Sequence, residues 1–253
     1  MYAAERQHRL VERARTAGRV EVRAAADELG VTPETIRRDL SELERQGLLR
    51  RVHGGAMPIE RLGFEPELAT RASISIDEKL RIAKAAVAEV PSAGSILLDA
   101  GTTTARLADL LPTDRPLTVV TNAVPIALSL SARPNLTLLL VGGRVRGRTQ
   151  AVVDAWSLDV LATTYVDVAF VGANGFSVAR GLTTPDPSEA ATKRAMVHAA
   201  RRTIVLADSH KLGRDCFARF AELSEVDTLI TDDGLSPDAA DALAAAGPRV
   251  LRA

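Results

Sequence analysis

From residue 78 onward, short apolar runs alternate with helical stretches, and this alternation constrains the fold more than any other feature of the chain. The runs are "SILLDA" (95–100), "LTVVT" (117–121), "LTLLLV" (136–141), "VDVAFVG" (166–172), "TIVLAD" (203–208) and "VDTLIT" (226–231). They are short, rich in leucine and β-branched residues, and apolar on both faces. Helices are expected between them at 78–90, 104–111, 124–131, 187–201 and 236–246. Strands of this kind, each followed by a helix, predict a parallel sheet covered on both sides, an α/β fold. At 253 residues, 46% hydrophobic and 25% charged, the chain has the makeup of a globular protein with room for a second, smaller domain.

Residues 1–56 have a different texture. Helices are expected at 4–16, broken by Gly18, and at 23–29, stopped by Gly30, with a short extended piece at Val20–Val22 between them. Thr32 is a good N-cap and Pro33 suits the first helical position, so a third helix runs to about Gln46, with Gly47 as its stop. "LLRRVHGGA" (48–56) follows as a basic ribbon ending in a Gly-Gly turn. Helix, helix, tight turn, helix and ribbon is the plan of a winged helix-turn-helix.

In the third helix Ile36, Leu40, Leu43 and Gly47 form the buried stripe. Arg38 and Arg45 project nearly opposite it, and Thr35 and Arg37 lie on its flanks. The helix start therefore offers Thr35, Arg37 and Arg38 to guanine edges or phosphates, while Arg50, Arg51 and His53 lie on the ribbon. In a merely solvated helix the arginines would pair with Glu34, Asp39, Glu42 and Glu44. Against that, five arginines face three acids between 35 and 56, and the flanking elements sit where a DNA-binding motif needs them. Double-stranded DNA is the expected partner. The formal net charge of zero requires only that the basic surface be local. Residues 57–77, with two prolines and no period, read as a linker, giving domains at 1–56 and 78–253.

The strand ends of the larger region carry polar groups that a parallel sheet would gather on one rim. Asp99 ends the first strand; Gly101, Thr102, Thr103 and Thr104 follow as an anion cradle at a helix start. Other ends supply Asn122, Gly142-Gly143-Arg144, Asn174-Gly175 and Asp208-Ser209-His210-Lys211. Together they suit a phosphorylated polyol. "DPSE" (186–189) reads as a capping box, with Glu189 able to reach the rim. The basic residues are nearly all arginine, with lysine only at 79, 84, 193 and 211.

Other chemistries lack signals. There is no G-x-G-x-x-G after a strand and no phosphate-binding G-x-x-x-x-G-K-[ST]. The four histidines show no ligand spacing and Cys216 is solitary, so neither a metal, a disulfide nor a cofactor is expected. A charged start and the absence of a long apolar run predict a cytoplasmic protein with no membrane partner. An aldose–ketose isomerase with an appended DNA-binding domain is the alternative, using Asp99, Glu189 or Asp208 as base and Lys211 as cation.

"TIRRDL" followed by "RVHGGA" resembles the N-terminal domain of the DeoR family of bacterial transcriptional regulators, in which Thr35, Arg37 and Arg38 would be the leading DNA contacts. "DAGTTT", "TNAVPIA", "VGGRVRG", "GANGF" and "DSHKLG" resemble that family's C-terminal sensor domain, itself similar to ribose-5-phosphate isomerase. The resemblance implies a sensor of a phosphorylated sugar, and the mechanism expected is a homo-oligomeric repressor of a sugar operon, released from its operator when that effector binds. By position, Asp99, Gly101 to Thr104, Asn122, Gly142 to Arg144, Asn174, Gly175 and Lys211 would bind it. "LLDAGTTTARLA" and "GLTTPDPSEAATKRAM" are most similar to actinobacterial regulators of fructose uptake, which implies fructose 1-phosphate. This chain departs from the family pattern at Asn174, where many members have Asp, and near Asp154, where many have Gly.

Overall fold

The computed structural model describes residues 2–17, 19–58 and 65–253. They fall into two compact units, one built on the described part of 1–64 with 69–74, the other on 65–68 with 75–253. The expected helix break at Gly18 lies outside the described residues, as does 59–64 of the expected linker. Of the rest of that linker, Met57 and Pro58 belong to a strand, Leu68–Ala72 form a short helix, and Ile76 and Asp77 begin the helix that follows.

The smaller unit runs α1 (Ala3–Ala17), β1 (Val20–Glu21), α2 (Val22–Leu29), α3 (Pro33–Arg45), β2 (Leu49–Val52) and β3 (Gly55–Pro58). Leu10 and Ala14, Ala25, Ile36, Leu40, Leu43 and Leu49 fill its core. The α3 cap is as expected: the Thr32 hydroxyl accepts from the Thr35 N–H at 3.2 Å, with Pro33 next. The ribbon is a three-stranded antiparallel sheet in the order β1-β3-β2, because the short extended piece joins it. Its two adjacent glycines serve different ends. Gly54 has φ +77, a left-handed turn that favours glycine. At Gly55 an added Cβ would lie 2.0 Å from the Val20 carbonyl oxygen, so β1 can pair there only with glycine.

After α4 (Leu68–Ala72), the larger unit runs α5 (Ile76–Val87), β4 (Gly94–Leu98), α6 (Thr102–Asp109), β5 (Leu117–Thr121), α7 (Val124–Leu130) and β6 (Leu136–Leu140). There follow β7 (Arg144–Val145), β8 (Val152–Val153), α8 (Ala155–Ala162), β9 (Val168–Gly172), β10 (Gly175–Ser177), β11 (Gly181–Thr184) and α9 (Pro187–His198). The last elements are β12 (Thr203–Leu206), β13 (Ala218–Ala221), β14 (Thr228–Thr231), α10 (Pro237–Ala245) and β15 (Arg249–Arg252). Among the described residues, the main sheet has the order β15-β14-β12-β9-β4-β5-β6, with every pairing parallel.

Period-two alternation sorts the strand residues onto two cores. Ile96, Leu98, Val119, Phe170 and Ile204 belong to one cluster, shared with Ile82 of α5, Leu107 of α6 and Ile126 of α7. Leu97, Val120, Val171, Val205 and Leu229 belong to the other, with Met196 of α9 and Phe176, Leu182 and Phe220 of a small antiparallel sheet, β10-β11-β13. That small sheet, β7, β8, α8 and β15 were not expected from the sequence. No described helix is long and apolar enough to cross a membrane.

Candidate DNA-contact helix and effector site

On α3, Arg37 and Arg38 are exposed and Thr35 is half-buried, as the helical spacing requires. Their partners differ from one another. Arg37 pairs with Glu34 at 2.9 Å and Arg45 with Glu42 at 2.6 Å, so at these two positions the merely solvated pattern holds. Both pairs are exposed i,i+3 contacts and weak enough to open for a phosphate or a base. Asp39 does not serve the surface arginines. It is buried, takes Arg6 of α1 at 2.5 Å and Gln7 at 3.1 Å, and so ties α1 to α3. Arg51 reaches back from β2 to the Ser41 hydroxyl at 2.8 Å and the Arg37 carbonyl at 3.1 Å, fixing the ribbon to the helix. Arg38 and His53 are exposed and have no hydrogen-bond or ion-pair partner among the described residues.

In the larger unit the sheet turns outward from β4, with β5 and β6 on one side and β9, β12, β14 and β15 on the other. Ligands of open α/β sheets bind at such a switch point, beyond the carboxyl ends of the strands. Asp99 sits there, fully buried, accepting from the Gly172 N–H at 2.9 Å across the β4–β9 seam. Lys193 of α9, also buried, pairs with Asp99 and donates to the Gly172 carbonyl at 3.0 Å. Burial pushes the Asp99 carboxyl above its usual range, against the opposing pull of Lys193 and the Gly172 N–H.

A second, half-buried cation lies next along the network. The Arg146 guanidinium meets three carboxylates: Glu65 at 2.9 Å, Asp186 at 3.2 Å, and Glu189. Burial works against its charge, but Glu189 and Glu65 outweigh that and hold Arg146 above its usual range. Asp186 caps α9 as expected, accepting from the Glu189 N–H at 3.0 Å. The capping box is not closed, because the Glu189 carboxylate is spent on Arg146 and on the Thr149 hydroxyl at 2.5 Å. Burial opposes the Glu189 charge, yet Lys193, Thr149 and Arg146 together hold it below the usual carboxylate range.

The other expected residues fall around these two centres. The Asn174 amide donates to Glu65 at 3.4 Å and accepts from the Thr184 hydroxyl at 3.0 Å. Gly175 allows the chain at Arg214 to pass, since a Cβ there would lie 1.6 Å from the Arg214 carbonyl. Asn122 is buried with its amide engaged, accepting from the Ala100 N–H at 2.9 Å and donating to the Val152 carbonyl at 3.1 Å; it braces two loops. Thr102, Thr103 and Thr104 are buried at the α6 start, where Thr104 turns back to the Gly101 carbonyl at 3.0 Å. Gly142 and Gly143 lead into an exposed Arg144, which pairs with Asp154 beside a cleft of about 370 Å³ lined by Gly143, Arg144, Val153, Asp154, Ala155 and Trp156. Asp154 has φ +82 and ψ −171, a conformation natural to glycine. Lys211 pairs with buried Asp208 at 3.3 Å, one strand further along the rim.

Reasoning from sequence missed Glu65, Arg146, Thr149, Lys193 and Lys79. One signal was available. Of 32 basic residues only four are lysines, and Lys79 and Lys193 are buried while Lys211 is nearly so. Among the described residues, no group of three His, Cys, Asp or Glu is placed to hold a metal ion.

Comparisons with known proteins identify the family. Residues 6–61 match the model of the DeoR-like helix-turn-helix domain, and residues 74–233 that of the DeoR C terminal sensor domain. The chain is 38% identical to the HTH-type transcriptional regulator GlpR of Haloferax volcanii over 99% of this chain and 98% of that one. It is 29% identical to the glycerol-3-phosphate regulon repressor of Escherichia coli (strain K12), over 92% of each. Among solved structures it is similar to ribose 5-phosphate isomerase A of Methanocaldococcus jannaschii, with a TM-score of 0.40 and 21% identity over 55% of each chain.

Proposed function

We propose that this chain, which belongs to the DeoR family of transcriptional regulators, is a repressor of a sugar operon that leaves its operator when a phosphorylated sugar binds the larger unit. The observation that carries the reading is a recognition helix with Arg37 and Arg38 exposed, in one chain with a buried polar rim at a sheet switch point. Arg38, without a partner among the described residues, reads a base edge; Arg37 exchanges Glu34 for phosphate or base; Thr35, Arg45, Arg51 and His53 contact backbone and groove. The chain works as a homo-oligomer that places recognition helices on repeated half-sites.

Asp99, Gly101 to Thr104, Asn174 and Lys211 surround the effector; Asn122, Gly142, Gly143 and Gly175 hold the loops that shape its site; Arg144 stands at the edge. Support for a phosphorylated polyol comes from the mixture of cations, carboxylates and amide on one rim, and from the relative named for glycerol-3-phosphate. Binding rather than turnover is the output. Taking up a proton would cost Asp99, Glu189 and Asp208 each an ion pair, with Lys193, Arg146 and Lys211 respectively.

The test is fluorescence anisotropy of the full-length protein on DNA upstream of its own gene, at fixed salt, with a panel of sugar phosphates headed by fructose 1-phosphate. Specific binding released by one member is the expected result. Specific binding that no phosphosugar changes would refute the effector class.

A further inference from the structure

Three carboxylates converge on the one Arg146 guanidinium, and they are not equivalent. Asp186 is committed to the α9 cap, and Glu189 is carried on α9 itself and shared with Thr149. Both belong to the rigid frame. Glu65 stands on a stretch that is neither helix nor strand, on the path of the chain from the smaller unit into the larger. Its side chain is 3% exposed, gripped by Arg146 and by the Asn174 amide. Its backbone is gripped as well: Arg148 donates to the Glu65 carbonyl at 2.5 Å, and the Leu68 N–H donates to the Arg148 carbonyl at 3.1 Å. One segment of "RVRGRT" therefore holds residues 65–68 by both side chain and main chain.

The structure assigns Arg146 as the anion-holding residue of the effector site, with Glu65 as an internal carboxylate that a phosphate group displaces, freeing the Glu65–Leu68 segment. This inference rests on the reading of the rim as an effector site. A phosphomonoester carries up to two charges and so competes strongly for the Arg146 Nη1 position that Glu65 holds, while Glu189 and Asp186 keep their own contacts. Displacement also returns the Glu65 carboxylate to water, which offsets the loss of its ion pair. Arg146 and Asn174, left by Glu65, would then face the ligand's phosphate and a neighbouring hydroxyl. The signal to the DNA-binding unit needs no long relay, because the displaced segment is part of the connection. The coupling can be no larger than the ligand's preference for the state with Glu65 withdrawn.

Hydrogen–deuterium exchange of the full-length protein tests this, with inorganic phosphate at tens of millimolar against chloride of equal ionic strength, on wild type, Glu65→Gln and Arg146→Met. In wild type, peptides covering 65–68 should exchange slowly in chloride and several-fold faster in phosphate. Glu65→Gln should exchange fast in both and bind phosphate about tenfold more tightly than wild type. Arg146→Met should exchange fast and ignore phosphate. Unchanged protection of 65–68 in Glu65→Gln, or phosphate binding there no tighter than in wild type, overturns the assignment. Release of 65–68 by phosphate while no phosphosugar alters operator affinity upholds Arg146 as the anion site and instead refutes the regulatory reading above.

Discussion

Replacing Gly54 and Gly55 separately by alanine should have unequal costs, although the residues are adjacent and chemically identical. At Gly54 a Cβ meets nothing within 4 Å, and only the φ of +77 resists it. The cost of holding an L-residue there is about 1–2 kcal/mol. At Gly55 the Cβ would lie 2.0 Å from the Val20 oxygen, 3.1 Å from the Val20 carbon and 3.3 Å from the Glu21 Cα, all of them backbone. Strand β1 must withdraw by more than an ångström to restore van der Waals contact. The Val20↔Ala56 and Glu21↔Gly55 pairings then fail, and Val20, 1% exposed, loses its cover. Overpacking of this kind costs about 1–3 kcal/mol, and each lost ladder hydrogen bond adds about 0.5–1.5 kcal/mol. A total of roughly 2–4 kcal/mol follows from these two terms. In a unit of this size about 1 kcal/mol shifts the melting point by roughly 4–8 °C, so Gly55→Ala should melt some 10 °C or more below wild type. Calorimetry of the full-length protein, following the transition of the smaller unit, gives the comparison. Gly54→Asn, which tolerates the left-handed turn, should recover most of the Gly54→Ala loss. If Gly55→Ala melts at or above Gly54→Ala, the close approach of β1 does not explain the Gly-Gly pair.

The remaining expectations concern the two sites. Arg38→Ala should weaken operator binding by about 1–3 kcal/mol, with a smaller effect for Arg45→Ala; anisotropy showing equal losses would remove Arg38 from base reading. Asp99→Asn leaves Lys193 buried without its counter-charge and should cost about 3–5 kcal/mol, most of it recovered by Asp99→Asn with Lys193→Met. Urea titration checks this, and a double variant no better than the single one contradicts it. Burial pushes Asp208 up, but Lys211, Lys79 and His210 outweigh it and hold its carboxyl below the usual range. The stability it contributes is therefore present above the ordinary carboxylate value of about 3.9 and is lost as pH falls below that toward its folded value. Asp208→Asn should flatten the acid limb of the stability curve, and an unchanged slope would show that Asp208 does not carry it. Asp154→Gly should melt a few degrees above Asp154→Ala, since only glycine is at ease at φ +82 and ψ −171; the reverse order would deny the strain.

The parts of the fold legible in the sequence were those with a local cause. Thr32, Pro33 and the Ile36-Leu40-Leu43 stripe specify α3 without help from elsewhere, and runs such as "TIVLAD" can be little but interior strands. Strands β10, β11 and β13 were hidden because "GFS", "GLTT" and "ARFA" carry no alternation, and their pairing is decided by what they pack against. In the candidate site, Asp99 announced itself by ending a strand. Arg146 did not, since Arg144, Arg146 and Arg148 look alike in "GRVRGRT", and only the folded loop decides which guanidinium is buried. Glu65 has no local signal whatever: an acid beside a proline in a stretch without period is a solvent residue until the tertiary structure brings it to Arg146.

The seam between β4 and β9, where Ile96 lies beside Val168, also dictates an order of assembly. All of β5, β6 and α8 must be made before the two strands can meet, so the rim holding Asp99 is among the late-forming parts of the molecule. The winged unit closes mostly on contacts made by residue 58. At synthesis rates of about 5–20 residues per second, roughly 6–23 s separate the emergence of residue 58 from that of Gly172. During each round of translation, the chain thus completes its winged unit well before the rim at the end of β4 can exist.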